Sequence, residues 1–171
     1  MEHLRSLIRD VPDFPKEGIL FKDITPLLKD AQALRQVLTW MAEPLYDEGI
    51  DLVAGIEARG FILAAGLAVS LGAGFVPIRK PGKLPAERLA RSYDLEYGSN
   101  TLEVHRDAIQ PGQRVVLLDD LLATGGTARA ALELITERGG EVAQVLFMIE
   151  LADLGGRAQF DGYEVRSLLR Y

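Results

Sequence analysis

Residues 115–131 read VVLLDDLLATGGTARAA: an apolar run, two adjacent carboxylates, then small and hydroxyl residues that lead into a helical pattern. Each residue type there suits anion binding. Ala123, Gly125 and Gly126 are small enough for backbone N–H groups to approach a phosphate closely. Thr124 and Thr127 add hydroxyl donors, and a helix N-terminus contributes positive partial charge. Asp119 and Asp120 cannot bind phosphate oxygens directly; they suit the hydroxyls of a sugar, or a Mg2+ already held by phosphates. Acids and cradle in one loop point to a sugar phosphate. Two other nucleotide motifs are excluded: a Walker loop needs lysine where this chain has Gly126, and no G-x-G-x-x-G follows either candidate strand.

A second group of charges is cationic. Arg59 sits in EARG (57–60), between an apolar run and a helical pattern. A cation at a helix start opposes the macrodipole, so an anionic ligand explains it better than a surface position does. Arg79, Lys80 and Lys83 follow the next apolar run. In isolation such a run is a solvated basic loop.

The elements that must position these residues follow from periodicity. LVAGI (52–56), GFVPI (74–78), residues 114–118 and VAQVLFMI (142–149) are short apolar runs that read as buried strands. Helical patterns at 61–71 and 127–138 separate them, giving two βαβ units and a mostly parallel, doubly covered sheet. The loop DDLLATGG (119–126) leaves one strand and EARG another. In an open α/β sheet, ligands bind beyond such carboxyl ends. Upstream, a short N-terminal helix precedes a Pro/Gly-punctuated loop at 12–18, Thr25 reads as an N-cap before Pro26, and Asp30 as the cap of a helix carrying Leu34, Val37, Leu38, Met41 and Leu45. Pro44 should end that helix. Residues 92–105 alternate apolar and polar around Gly98-Ser99-Asn100, a hairpin expected to project from the sheet.

Composition bounds the rest. The 171 residues amount to about one domain and can bury a real core. Twenty-five acids against nineteen Lys plus Arg, a formal net charge of −6, argue against a general nucleic-acid binder. The absence of cysteine removes disulfides and thiolate chemistry, and two histidines, His3 and His105, are too few for a histidine metal cluster. The uncharged stretch 61–78 is interrupted by glycines and Pro77, and reads as a buried helix and strand rather than a membrane span. A cytoplasmic, membrane-free protein is expected.

The strand-DD-x-x-x-T-G-G-T-helix string resembles the phosphoribosyl pyrophosphate signature of the type I phosphoribosyltransferases. PDFPKEGILFKDITPLL, GIEARGF, FVPIRKPGKLP, SYDLEYG, LEVHRDAIQPG, VVLLDDLLATGGT and IELADLGG, in this order, are similar to the adenine-specific members of that family. The resemblance implies a central parallel sheet flanked by helices, an N-terminal hood (1–35) and a flexible β-hairpin lid (80–107) within a single domain spanning 1–171. It implies transfer of a phosphoribosyl group from phosphoribosyl pyrophosphate to adenine, giving AMP and pyrophosphate with Mg2+ carried by the substrate, in a homodimer. On this reading Asp119, Asp120 and residues 123–127 (Ala123, Thr124, Gly125, Gly126, Thr127) hold the ribose 5-phosphate, with Mg2+ near the two acids and no metal held by the protein alone. Arg59, Arg79, Lys80 and Lys83 hold pyrophosphate, Arg79 and Lys83 foremost; Leu20, Phe21, Lys22 and Leu151 sandwich the base. Many members carry arginine at Lys22, so a side-chain contact there is in question.

Glu96 and Arg59 are the implied catalytic pair. Hypoxanthine–guanine relatives place an aspartate just before their Thr-Gly; this chain has Ala123 there, and the glutamate of LEYG, Glu96, is left to exchange the purine N7 proton. Tyr97 would pack over the closed site as part of the lid. Two further readings stand beside this one: a non-catalytic sensor on the same fold, which would show an added DNA-binding segment or a degraded lid, and an enzyme for guanine or xanthine, against which Ala123 argues. Ser70, in a faint echo of a nucleophile elbow, and His105 read as structural.

Overall fold

The apolar runs become one sheet because each is hydrophobic on both faces and must be covered twice. The computed structural model describes residues 1–94 and 99–171, and its chain order is as follows. A short helix α1 (Glu2–Ser6) leads into β1 (Arg9–Pro12), β2 (Leu20–Asp23), α2 (Thr25–Lys29) and α3 (Ala31–Ala42). Then come β3 (Leu52–Ile56), α4 (Arg59–Leu71), β4 (Gly74–Ile78), β5 (Arg88–Asp94) and β6 (Ser99–His105). The chain finishes with β7 (Arg114–Leu122), α5 (Gly126–Glu137), β8 (Glu141–Glu150) and β9 (Val165–Arg170). The central sheet has the order β4-β3-β7-β8-β9, with every neighbouring pair parallel.

Period-two alternation divides the core between the sheet's faces. Val116 and Leu118 of β7, with Leu146 and Met148 of β8, pack with Val37 and Met41 of α3 and Leu63 and Leu67 of α4. Their neighbours Val115, Leu117, Val145 and Phe147 face Ala131, Leu134 and Ile135 of α5. Each fully buried side chain of this size contributes roughly 1.5–3 kcal/mol. The long uncharged stretch divides into α4 and β4, with Gly72 as a left-handed C-cap at φ 67° between them. No helix among the described residues is long and apolar enough to cross a membrane.

Several elements differ from the sequence expectation. β7 runs four residues past 118, so Asp119 and Asp120 belong to the strand itself rather than to the loop. α4 begins at Arg59 and α5 at Gly126, earlier than the apolar pattern because polar or glycine residues occupy their first positions. Thr25 is the first helical residue rather than a cap: the Asp23 carboxylate accepts from the Thr25 N–H at 2.9 Å. Asp30 does cap α3, accepting from Gln32 and Ala33 N–H, and α3 ends before Pro44. Residues flanking the 12–18 loop pair as the antiparallel strands β1 and β2, which four-residue runs did not reveal. β9 is also new, closing the sheet beside β8. The β5–β6 hairpin forms its own sheet, yet it lies against the core: Leu102 and Val104 are buried in the α5-side cluster, and Arg91 pairs with Glu133 and Glu137 of α5.

Candidate active site

The carboxyl ends of β3 and β7 lie side by side in the parallel sheet, so their outgoing loops converge. Between them is a cleft of about 250 Å3, lined by residues 56–59 and 119–128. Both α4 and α5 start at this cleft, and neither has a side-chain cap on its first turn. Their free N–H groups therefore remain available to an anion. Gly125 is the N-cap of α5 at φ 87°, a left-handed conformation that turns the loop into the helix. A Cβ on Gly125 would lie 2.6 Å from the Gly156 carbonyl oxygen, and one on Gly156 would lie 2.1 Å from the Ala123 carbonyl oxygen. The cradle is thus braced from behind by the backbone after β8.

Asp119 and Asp120 close the inner end. The Arg59 Nε lies 3.0 Å from Asp120 Oδ2, while its guanidinium carbon sits 4.8 Å from the centroid of the Phe21 ring. Burial pushes the Asp119 carboxyl well above its ordinary value, and the neighbouring Asp120 charge pushes it further. Burial also raises Asp120, against the pull of Arg59. Gly60 makes this packing possible, since a Cβ there would meet Asp119 Oδ1 at 2.8 Å. Among the described residues, Arg59 Nη1 is buried in the cleft without a hydrogen-bond partner, and Asp120 Oδ2 has only its ion pair with Arg59 Nε. They are oriented groups of opposite sign, suited to a ligand that is both anionic and hydroxylated.

Arg79 and Lys83 converge on Glu57, a carboxylate that sequence reasoning missed. Its Oε2 lies 3.1 Å from Arg79 Nη2 and 3.5 Å from Lys83 Nζ, and its Oε1 accepts from the Lys80 N–H. Burial acts to raise the Glu57 carboxyl; the Lys80 amide, Arg79 and Lys83 outweigh it and hold the group below the usual range. The signal available in the sequence was an acid placed directly after an apolar strand.

A larger cavity, about 880 Å3, adjoins the cleft and shares Leu121, Ala123, Thr124 and Gly126 with it. Leu20, Phe21, Lys22 and Leu151 all line it, as expected. The Lys22 side chain, however, turns aside: its ammonium donates to Asp10 Oδ1 at 2.7 Å and lies 4.2 Å from the centroid of the Tyr171 ring. These contacts tie β2 to β1 and to the C-terminal Tyr171. Phe21 meets Phe14 edge to face at 5.0 Å. Thr127 is also engaged, donating to the Tyr93 hydroxyl at 3.1 Å. Tyr93, which the sequence reading passed over, thereby joins the hairpin to the phosphate-type loop. Glu96 and Tyr97 lie outside the described residues. Ser70 donates to the Gly66 carbonyl within α4, and His105 accepts from the Ala86 N–H at 3.4 Å, both structural contacts.

Among the described residues no group of three or more metal-binding side chains is assembled. Asp119 and Asp120 both line the cleft and offer hard oxygens, which fits Mg2+ whose remaining positions come from substrate and water.

The phosphoribosyl transferase domain is the family whose model matches this chain, over residues 22–168. The chain is 58% identical over 167 residues to the adenine phosphoribosyltransferase of Halothermothrix orenii, covering 98% of each chain. The crystal structure of adenine phosphoribosyltransferase from Thermoanaerobacter pseudethanolicus matches it with a TM-score of 0.96 at 53% identity, covering 99% of each. The Saccharomyces cerevisiae enzyme, complexed with adenine and an imino-altritol bisphosphate, gives a TM-score of 0.92 at 37% identity, covering 98% of this chain and 97% of that one.

Proposed function

The chain belongs to the phosphoribosyltransferase family, in its adenine-specific branch, and from that premise we infer that it works in purine salvage, transferring the phosphoribosyl group of phosphoribosyl pyrophosphate to adenine with release of pyrophosphate. The observation that carries the reading is the shared wall: a polar cleft at two helix starts opens directly onto an apolar slot, through Leu121, Ala123, Thr124 and Gly126. A sugar phosphate in the first places its anomeric carbon toward a flat base in the second.

Breaking the bond from C1′ to pyrophosphate builds positive charge on the ribose and negative charge on the leaving group. The ribose 5-phosphate accepts from the free amides after Leu122, at residues 123–127, and its ring hydroxyls donate to Asp119 and Asp120, whose carboxylates also face the developing positive charge. Arg59 is held between Asp120 and Phe21, so its Nη1, without a hydrogen-bond partner among the described residues, can donate to the leaving oxygens. Arg79 and Lys83, with Lys80 beside them, supply the cationic wall for pyrophosphate. Mg2+, when bound to those oxygens near Asp119 and Asp120, would neutralise part of the leaving charge.

Adenine stacks between Phe21 and Leu151, under residues 1–35 as a hood. Loop residue Ala123 carries no acid, so the N7 proton falls to Glu96, with Tyr97 packing over the site. Both lie on the segment between β5 and β6, strands that reach the cavity through Ser92 and Tyr93. Residues 80–107 are the lid on this reading. A cytoplasmic homodimer fits the same reading.

The test is product formation by the purified protein with phosphoribosyl pyrophosphate, Mg2+ and each purine in turn. AMP from adenine, with stoichiometric pyrophosphate, is the expected result. No nucleotide from any base, or a preference for guanine, would overturn it.

A further inference from the structure

We propose that Glu57 is a positioning residue, a built-in counter-charge that holds Arg79 and Lys83 side by side so that they meet the leaving pyrophosphate as a pair. The proposal rests on the phosphoribosyl-transfer reading and assigns within it a residue that acts through the two cations.

Glu57 follows β3 directly, and its side chain is only 6% exposed. A single buried oxygen, Oε2, lies within 3.1 Å of Arg79 Nη2 and 3.5 Å of Lys83 Nζ. Two cations converging so closely repel each other, and without an anion between them their flexible stems would splay into water. One carboxylate against two cations still leaves the group net positive. Both cations stay reachable, Arg79 at 32% and Lys83 at 51% exposure, and Arg79 Nε is buried without a hydrogen-bond partner among the described residues. The pair is therefore ordered yet unsatisfied, the condition under which binding an anion costs little further ordering.

The turn's backbone has a separate anchor. Glu103 of β6 accepts from the Gly82 N–H at 3.0 Å, and Arg79 and Glu103 exchange backbone hydrogen bonds at 2.9 and 2.7 Å. The Lys80 N–H needs only an oxygen acceptor, which an amide would supply equally well. What a carboxylate adds at position 57 is its charge on the two side chains.

Glu57→Gln isolates that charge, because it keeps the volume and an acceptor for the Lys80 N–H. The expected effect is an increase of about ten-fold in KM for phosphoribosyl pyrophosphate, the size of one lost charge-assisted hydrogen bond. Product inhibition by pyrophosphate should weaken by a similar factor, KM for adenine should stay, and kcat should fall less than KM rises. Glu57→Asp, which keeps the charge one methylene short, should recover part of the loss. Unchanged KM and unchanged pyrophosphate inhibition in Glu57→Gln would overturn the proposal. So would tighter pyrophosphate inhibition, which would make Glu57 a competitor for the cations. Equal losses toward both substrates with no recovery in Glu57→Asp would mark a merely structural role. Should the glutamine variant fail to fold, Glu57→Asp decides: a selective rise in KM for phosphoribosyl pyrophosphate supports the assignment and a wild-type value refutes it. Failure of the underlying reading looks different, since wild-type protein would then make no AMP at all.

Discussion

Replacing Gly156 by alanine should damage the phosphate cradle from outside it. A Cβ at 156 would stand 2.1 Å from the Ala123 carbonyl oxygen, 2.9 Å from the Thr124 carbonyl carbon and 3.0 Å from that of Ala123. All three atoms are backbone, so no side-chain rotamer can yield. Favourable contact begins near 3.5 Å, which requires a separation of roughly 1.4 Å more than the wild-type packing allows. The segment carrying Gly156 cannot easily retreat, because Arg157 beside it donates to Glu150 and to the Val165 carbonyl at 2.7 Å. The displacement therefore falls on residues 123–127. A 1 Å misplacement at a catalytic site costs about 100-fold, and that is the expected loss in kcat/KM for phosphoribosyl pyrophosphate. Gly155 provides the control. It has φ 65° but open space around a Cβ, so alanine there meets only the left-handed penalty of about 1–2 kcal/mol. Steady-state kinetics and thermal unfolding on both variants separate the effects: Gly155→Ala should lower Tm by about 2–8 °C and keep its kinetics. Wild-type kcat/KM in Gly156→Ala, or equal kinetic losses in both variants, would refute the bracing argument.

Other substitutions follow from the same geometry. Asp119 is held well above its ordinary value by burial and by Asp120, so the folded state keeps a proton the unfolded chain has lost, and stability falls as pH rises between the two values. Asp119→Asn should therefore raise Tm at about pH 7, with the gain shrinking toward about pH 4, while turnover drops; thermal melts across that range check the sign. Glu150 behaves oppositely. The Arg157 hydrogen bond holds it below the usual range, so its contribution is present above the ordinary glutamate value and is lost as pH falls through the lowered one. Glu150→Gln should cost about 2 kcal/mol at neutral pH, read by denaturant unfolding, and should also weaken phosphoribosyl pyrophosphate binding through Arg157 and Gly156. Lys22→Met removes a cation engaged by Asp10 and Tyr171, so it should cost about 1 kcal/mol in stability and leave KM for adenine within about three-fold. A larger rise in that KM would put the ammonium back in the base site.

Much of the site was legible along the chain because its parts are local. The strand, acids and small residues of 115–127 are contiguous, and the structure keeps them together as the end of β7, a tight loop and the start of α5. The parallel sheet followed from apolar runs alternating with helical periods, as did the convergence of EARG with that loop at the carboxyl edge. The four-residue strands β1 and β2 were not legible, since runs so short carry no usable period.

What tertiary structure decided was the partner of each charge. Arg79 and Lys83 read as cations for a pyrophosphate, and the fold adds a carboxylate 22 residues before Arg79 that touches both. Lys22 read as a base contact, yet its ammonium reaches Asp10 across the β1–β2 pair and the Tyr171 ring brought beside it by the sheet edge. Gly156 carries no sign of its close approach in the sequence, and only the fold brings the segment after β8 against the Ala123 carbonyl. Periodicity reports on neighbours one turn or one pleat away, whereas a charge or a close backbone approach is settled by whatever the fold brings within a few ångströms, often from a distant stretch of chain.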